Sequence, residues 1–142
     1  MSWIVKLGKK GKKIVKKIIT PAEKHYVGYT RRIERVKTGE RICAMTFDDG
    51  PTGKIENYPN GLTNYLLDGL KERGAKATFF ECGYRIKEYS ACMPRQLEEG
   101  SEIANHTMNH PDSRLTGLSR EEVDVQINSN SELIKEKTGS LP

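Results

Sequence analysis

Apolar and polar residues along this chain fall into blocks whose period changes from one block to the next. Arg41–Phe47 (RICAMTF) is a short, mostly apolar run stopped by Asp48-Asp49-Gly50-Pro51, which predicts a strand followed by a turn. Leu62, Tyr65, Leu66 and Leu70 then recur at helical spacing, with Gly74 where a C-cap glycine belongs. Lys76–Glu81 (KATFFE) predicts a second buried strand. A helical stretch from Arg85 is interrupted by Pro94 and resumes to Glu99, with Gly100 as its stop. Glu102–Asn105 (EIAN) predicts a third strand running into His106. In the last helix, Ser119 and Glu122 form a capping box, and Leu118 and Val123 occupy the staple positions around it. Val123, Ile127, Leu133 and Ile134 make its apolar face, and Gly139 ends it. The order β-α-β-α-β-α predicts an α/β fold with a parallel sheet and right-handed crossovers. Three parallel strands leave two edges open and one face half-covered, so these elements read as part of a larger sheet.

The N-terminal block differs. Ile4, Leu7, Gly11, Ile14, Val15, Ile18 and Ala22 recur at steps of three and four, with Lys6, Lys9, Lys10, Lys12, Lys13, Lys16 and Lys17 between them. On a helix this places apolar residues on one face and lysines on the other, the form of a helix lying on an anionic membrane surface through residues 3–19. A basic arm that is simply solvated is the other reading, since Gly8 and Gly11 each weaken a helix by about 1 kcal/mol relative to Ala. Thr20-Pro21 closes this tail, residues 1–20. Residues 21–40 read as a polar connector with one short strand near Arg32–Val36, and 41–142 as the folded part.

Charge sharpens the division. The net charge of +5 conceals 12 basic residues against Glu23 and Glu34 in 1–37, a balance of +10, and a balance of −5 in 38–142. An acidic body argues against nucleic acid as a partner, because such a domain carries its basic stripe on the folded unit. No stretch of 18 apolar residues predicts a spanning helix, and no apolar core of a secretory signal follows Trp3-Ile4-Val5. Cys43, Cys82 and Cys92 are an odd count without a Cys-x-x-Cys pair, which argues against a disulfide scaffold or a cysteine zinc knuckle. Cys43 reads as a small buried strand residue, and Cys82 and Cys92 as free thiols. Tyr58, Tyr65 and Tyr84 read as core or rim packing, with the lining of a sugar groove as the other reading.

Parallel α/β units bring the C-terminal ends of their strands together, and ligands bind there. Asp48 and Asp49 lie at the end of the first strand of the folded part, His106 and His110 just beyond the third. Taken singly, an Asp-Asp-Gly after a strand is most often a turn, and a His-x-x-x-His pair is most often a surface or core pair. Found together at strand ends, they support a metal site. Two imidazoles and a carboxylate suit zinc or another divalent transition metal. The second carboxylate is then available as a proton acceptor.

Thr46-Phe47-Asp48-Asp49-Gly50-Pro51 and His106-Thr107-Met108-Asn109-His110-Pro111 closely resemble the first two signature motifs of the NodB-like polysaccharide deacetylases, carbohydrate esterase family four. The 58-residue separation of Asp48 and His106, Ala77-Thr78-Phe79-Phe80, and Glu99-Gly100-x-Glu102-Ile103-x-Asn105-His106 are similar to the family as well. The resemblance covers about residues 41–142 and implies a partial (β/α) barrel of about three β-α units. It implies Asp48 as the catalytic base, Asp49, His106 and His110 as the metal ligands, and Thr107 as the residue that steadies the loop between the histidines. The implied cofactor is a divalent metal, zinc or else cobalt. The implied reaction is hydrolysis of N-acetyl groups from an amino-sugar polymer such as peptidoglycan or chitin.

The family's Arg-Pro-Pro-Tyr-type motif, its tryptophan-bearing segment and its Leu-His segment with the general acid have no match here. Trp3 lies in the tail, and His25 precedes the first motif. The alternative expectation is therefore a truncated, inactive fragment that keeps metal or carbohydrate binding, or one half of a split enzyme completed by a second polypeptide.

Overall fold

The computed structural model describes residues 3–7, 13–17, 39–112 and 114–142. Three strands, β1 (Trp3–Leu7), β2 (Lys13–Lys17) and β3 (Ile42–Cys43), form an antiparallel sheet in the order β2-β1-β3. At 3–7 and 13–17, the described parts of the segment expected to be helical over 3–19, the chain instead forms paired strands, with Val5 opposite Val15. The sequence rationalises the change: Trp3, Ile4, Val5, Ile14 and Val15 are β-formers, and Gly8 and Gly11 are poor in a helix. Cys43 lies in a strand as expected but is exposed rather than buried: among the described residues, β3 is a two-residue edge strand with a partner on one side. The strand expected near Arg32–Val36 lies outside the described residues.

The folded part follows the expected order. It comprises β4 (Thr46–Gly50), α1 (Leu62–Glu72), β5 (Thr78–Glu81), α2 (Gly83–Tyr89), α3 (Met93–Glu98) and β6 (Glu102–Asn105). A last helix then runs through α4 (Arg120–Asp124), a π turn (Val125–Ser129) and α5 (Asn130–Thr138). β4, β5 and β6 are parallel neighbours in that order. Pro94 falls in the first turn of α3, where its missing N–H costs nothing; the chain breaks before it, in a 3-10 turn over Ser90–Cys92.

Register assigns the faces. Phe47, Phe79 and Ile103 stand side by side and so share a face of the sheet. On it Phe79 packs with Leu67, Leu70 and Ala77, and Ile103 with Ile86, Met93 and Ile134. Fully burying a side chain of this size stabilises by about 1.5–3 kcal/mol, so this seam of helices on sheet is the core. The opposite face, with Thr78, Phe80, Glu102 and Ala104, is only half-buried among the described residues. The last helix departs from its expected apolar stripe: Ile134 is buried, yet Ile127 is exposed, and Gln126 and Asn130 are buried instead. The π turn adds a residue to the helical repeat and so rotates the face, and both polar side chains find partners beneath it.

Candidate metal centre at the strand ends

The pairing of β4 with β5 slips by one residue between Phe47 and Gly50, a bulge that contains Asp48 and Asp49. A bulge re-aims side chains that a regular strand would place on opposite faces. Asp49 has φ +61°, which the short polar side chain of Asp tolerates. The peptide bond of Gly50-Pro51 is cis. What the sequence presents as a strand and then a turn is therefore a strand that continues through both carboxylates.

The other side of the site is the segment after β6. Thr107 and His110 also have positive φ, +70° and +46°, so every such non-glycine residue among those described lies in this site. A β-branched residue there is strained by about 1–3 kcal/mol and persists only when its surroundings hold it. Thr107 N donates to Asn105 Oδ1 at 2.7 Å, and Thr107 Oγ1 accepts from His110 N at 3.0 Å. The first turn of α2 contributes its otherwise unpaired N–H groups, from Gly83 to Thr107 O and from Tyr84 to Met108 O. Gly83 has to be glycine, since a Cβ there would collide with Met108 and with Asn130 Oδ1. From behind, Gln126 Oε1 accepts from Asn109 N at 2.9 Å.

Asp49, His106 and His110 come together. His106 Nε2 lies 3.3 Å and His110 Nε2 3.2 Å from the same Asp49 Oδ1, and the two imidazoles stack with centroids 5.1 Å apart. Asp49 and His110 are half-exposed or more, at 57% and 50%, and His106 is at 26%, so the cluster opens to solvent. One carboxylate oxygen and two imidazole nitrogens, converging at an open rim, fit a zinc-like divalent ion. Asp48 is exposed beside them. Its charge adds to the field that raises the pKa of the Cys82 thiol.

Two residues at this centre are illegible from motif spacing. Cys82, directly after β5, is fully buried with Sγ 4.0 Å from Asp49 Oδ1, and burial, then the Asp49 charge, pushes its thiol up to about 11. Glu81 is fully buried on the helix side, where Oε1 accepts from Gln96 Nε2 at 2.6 Å. Burial pushes its carboxyl up to about 7, with the Gln96 hydrogen bond and the Arg85 charge opposing. A signal existed for Glu81: it stands two residues after Phe79 and thus on the same, core-facing side of the strand.

A three-stranded parallel wall with helices behind it, carrying an Asp-His-His cluster at its C-terminal rim, defines the class as part of a (β/α) barrel with a candidate metal centre. A family model described as polysaccharide deacetylase matches residues 35–142, and the chain belongs to that family. Among curated relatives, the peptidoglycan-N-acetylmuramic acid deacetylase PdaC of Bacillus subtilis is 37% identical over 126 residues, 89% of this chain and 25% of that protein. The chitooligosaccharide deacetylase of Sinorhizobium fredii is 37% identical over 99 residues, 70% of this chain and 42% of that one. The solved structure of PdaC from Bacillus subtilis superposes with a TM-score of 0.61 at 40% identity, over 70% of this chain and 45% of that one. A family 4 acetyl xylan esterase from Clostridium thermocellum, solved with a cobalt ion, gives 0.57 at 32% identity, over 70% and 44%. The chain thus spans between a quarter and a half of the length of these proteins.

Proposed function

We propose that this chain contributes to the hydrolytic removal of N-acetyl groups from an amino-sugar polymer such as peptidoglycan or chitin, with a divalent ion held by Asp49, His106 and His110. The observation that carries this reading is the convergence of both imidazole Nε2 atoms on one Asp49 oxygen, at 3.3 and 3.2 Å. The names of the peptidoglycan and chitooligosaccharide deacetylases among the relatives support the substrate class. Zinc suits the donor set best, with cobalt as the alternative; when bound, the ion supplies Lewis acidity toward the acetyl carbonyl.

Asp48 is the general base in this reading. It is exposed next to Asp49 on the bulged strand, where its carboxylate takes a proton from the attacking water. Thr107, bonded through Oγ1 to His110 N, keeps the second histidine turned toward Asp49. Residues 41–142 form the N-terminal part of the catalytic domain, 21–40 a connector, and 1–20 a basic segment whose lysines suit an anionic membrane surface.

Metal analysis tests the site. Purified protein is expected to bind zinc or cobalt, and His106→Ala and His110→Ala to lose most of that binding; equal metal content in all three proteins overturns the assignment. A second reading is favoured by the share of the relatives that the chain covers. In it, residues 1–142 bind metal or carbohydrate without turnover, and a second polypeptide that completes the barrel restores the reaction.

A further inference from the structure

Each strand of the parallel wall delivers a side chain with a potential metal-donor atom to the same rim. Gly50, Glu81 and Asn105 are in register across the three strands, so Asp49, Cys82 and His106 lie within one residue of a common line. The ladder continues past the strand ends, with Cys82 N donating to Gly50 O and His106 N to Glu81 O. The donor atoms of Asp49, Cys82 and His106 all lie within 4.8 Å of one another. Cys82 Sγ is 4.0 Å from Asp49 Oδ1, an oxygen that both histidines also contact. The sulfur is fully buried, whereas Asp49 and His110 face solvent, so it meets the cluster from the protein side.

We propose that Cys82 is a fourth protein donor to the divalent-ion site, a soft ligand on its buried side that leaves the solvent side open for a fifth, substrate position, and that it biases the site toward thiophilic ions. The inference rests on the metal-site reading above. With zinc–sulfur bonds of about 2.3 Å and zinc–oxygen bonds of about 2.0–2.2 Å, donors on one ion stand roughly 3.1–3.6 Å apart, so the sulfur has to close by about half an ångström on Asp49 Oδ1. His110, which is not one of the three donors within 4.8 Å of one another, has to swing its ring in further. On binding, the S–H bond breaks, its proton leaves to solvent, and the sulfur electron pair forms the bond to the ion. Zinc, cadmium and cobalt gain from such a donor. Magnesium and manganese, which prefer oxygen, do not.

Cobalt(II) titration of the full chain carrying Cys43→Ser and Cys92→Ser isolates this thiol. The expected spectrum has visible d–d bands together with a near-ultraviolet thiolate-to-cobalt charge-transfer band. Cys82→Ala, a small apolar replacement suited to a buried position, is expected to remove the charge-transfer band and keep the d–d bands. It should also weaken cadmium binding by about 10-fold or more, with manganese affinity changed less than about two-fold. Saturating d–d bands without charge transfer, or unchanged cadmium affinity in Cys82→Ala, overturns the role of Cys82 and leaves the histidine site standing. A protein that shows no cobalt bands at all overturns the site itself and this ligand with it.

Discussion

A carboxyl removed from water resists ionisation, and Glu81 is the plainest case in this molecule. Its Oε1 is held by Gln96 Nε2, while Oε2 and Gln96 Oε1 have no partner among the described residues, so the neutral acid brings a donor to a place short of one. With a folded pKa of about 7 against an ordinary 4.5, the native state binds this proton more tightly than the unfolded chain does. The stability associated with it is full below about 4.5, declines as the pH rises toward 7, and is gone above that; it amounts to about 3 kcal/mol. Glu81→Gln, which cannot ionise, should flatten this dependence and be the more stable protein at pH 8. Denaturant midpoints of both proteins at pH 5 and pH 8 are the check, and parallel shifts in the two would refute it.

At the scale of elements, the last helix does more than cover the sheet. Its π turn brings Ile127 O to Asn105 Nδ2 at 2.7 Å and Gln126 Oε1 to Asn109 N, on either side of the strained Thr107. Asn130, one residue past the turn, donates to Glu81 O and to Asn105 Oδ1. These bonds reach the histidine segment from 17 to 25 residues away, so the helix acts as a clamp on the loop. Removing the Gln126 acceptor with Gln126→Ala should cost about 1–2 kcal/mol in stability. It should also weaken zinc binding about 10-fold, as loss of a supporting partner does in metal sites. Gln126→Glu keeps an acceptor at the same reach and should retain the affinity. Zinc affinity by chelator competition separates the outcomes: a stability loss at unchanged affinity would reduce the clamp to a folding contact.

For the whole molecule, the decisive feature is asymmetry. Helices bury one face of the parallel wall, while Thr78, Phe80, Glu102 and Ala104 on the other stay half-buried, and β4 and β6 have one strand neighbour each among the described residues. The Asp49-His106-His110 cluster sits on this wall, and residues 41–142 hold no match to the Leu-His segment that the family resemblance gives as the source of the general acid. Removing such an acid costs about 10²–10⁴-fold in rate. In the reading where a second polypeptide completes the barrel, residues 1–142 alone are expected to release acetate from N-acetylated chito-oligosaccharides or peptidoglycan at least about 100-fold more slowly than with that partner. Rapid turnover by the isolated chain, abolished in Asp48→Asn, would refute this expectation.

The sequence alone determined the order of elements and the main chemistry, because those are written in short-range patterns. Glu102–Asn105 is a strand at the expected limits, Ser119 and Glu122 cap each other as their spacing requires, and Gly139 ends the last helix in a left-handed conformation. Asp49, His106 and His110 meet because parallel strands bring their C-terminal ends together, a consequence of topology that motif order already implies. Tertiary structure alone decided what depends on distant partners. Glu81 reads as a polar strand end until Gln96, 15 residues on, and Asn130, 49 residues on, close over it. The spacing of lysines and apolar residues in 3–19 fits a helix in isolation, yet residues 3–7 pair as a strand with 13–17 and with Ile42–Cys43. Cys82 carries no motif signal at all. Its place beside Asp49 follows from a one-residue bulge in the neighbouring strand, a slip in register that no local pattern of residues records.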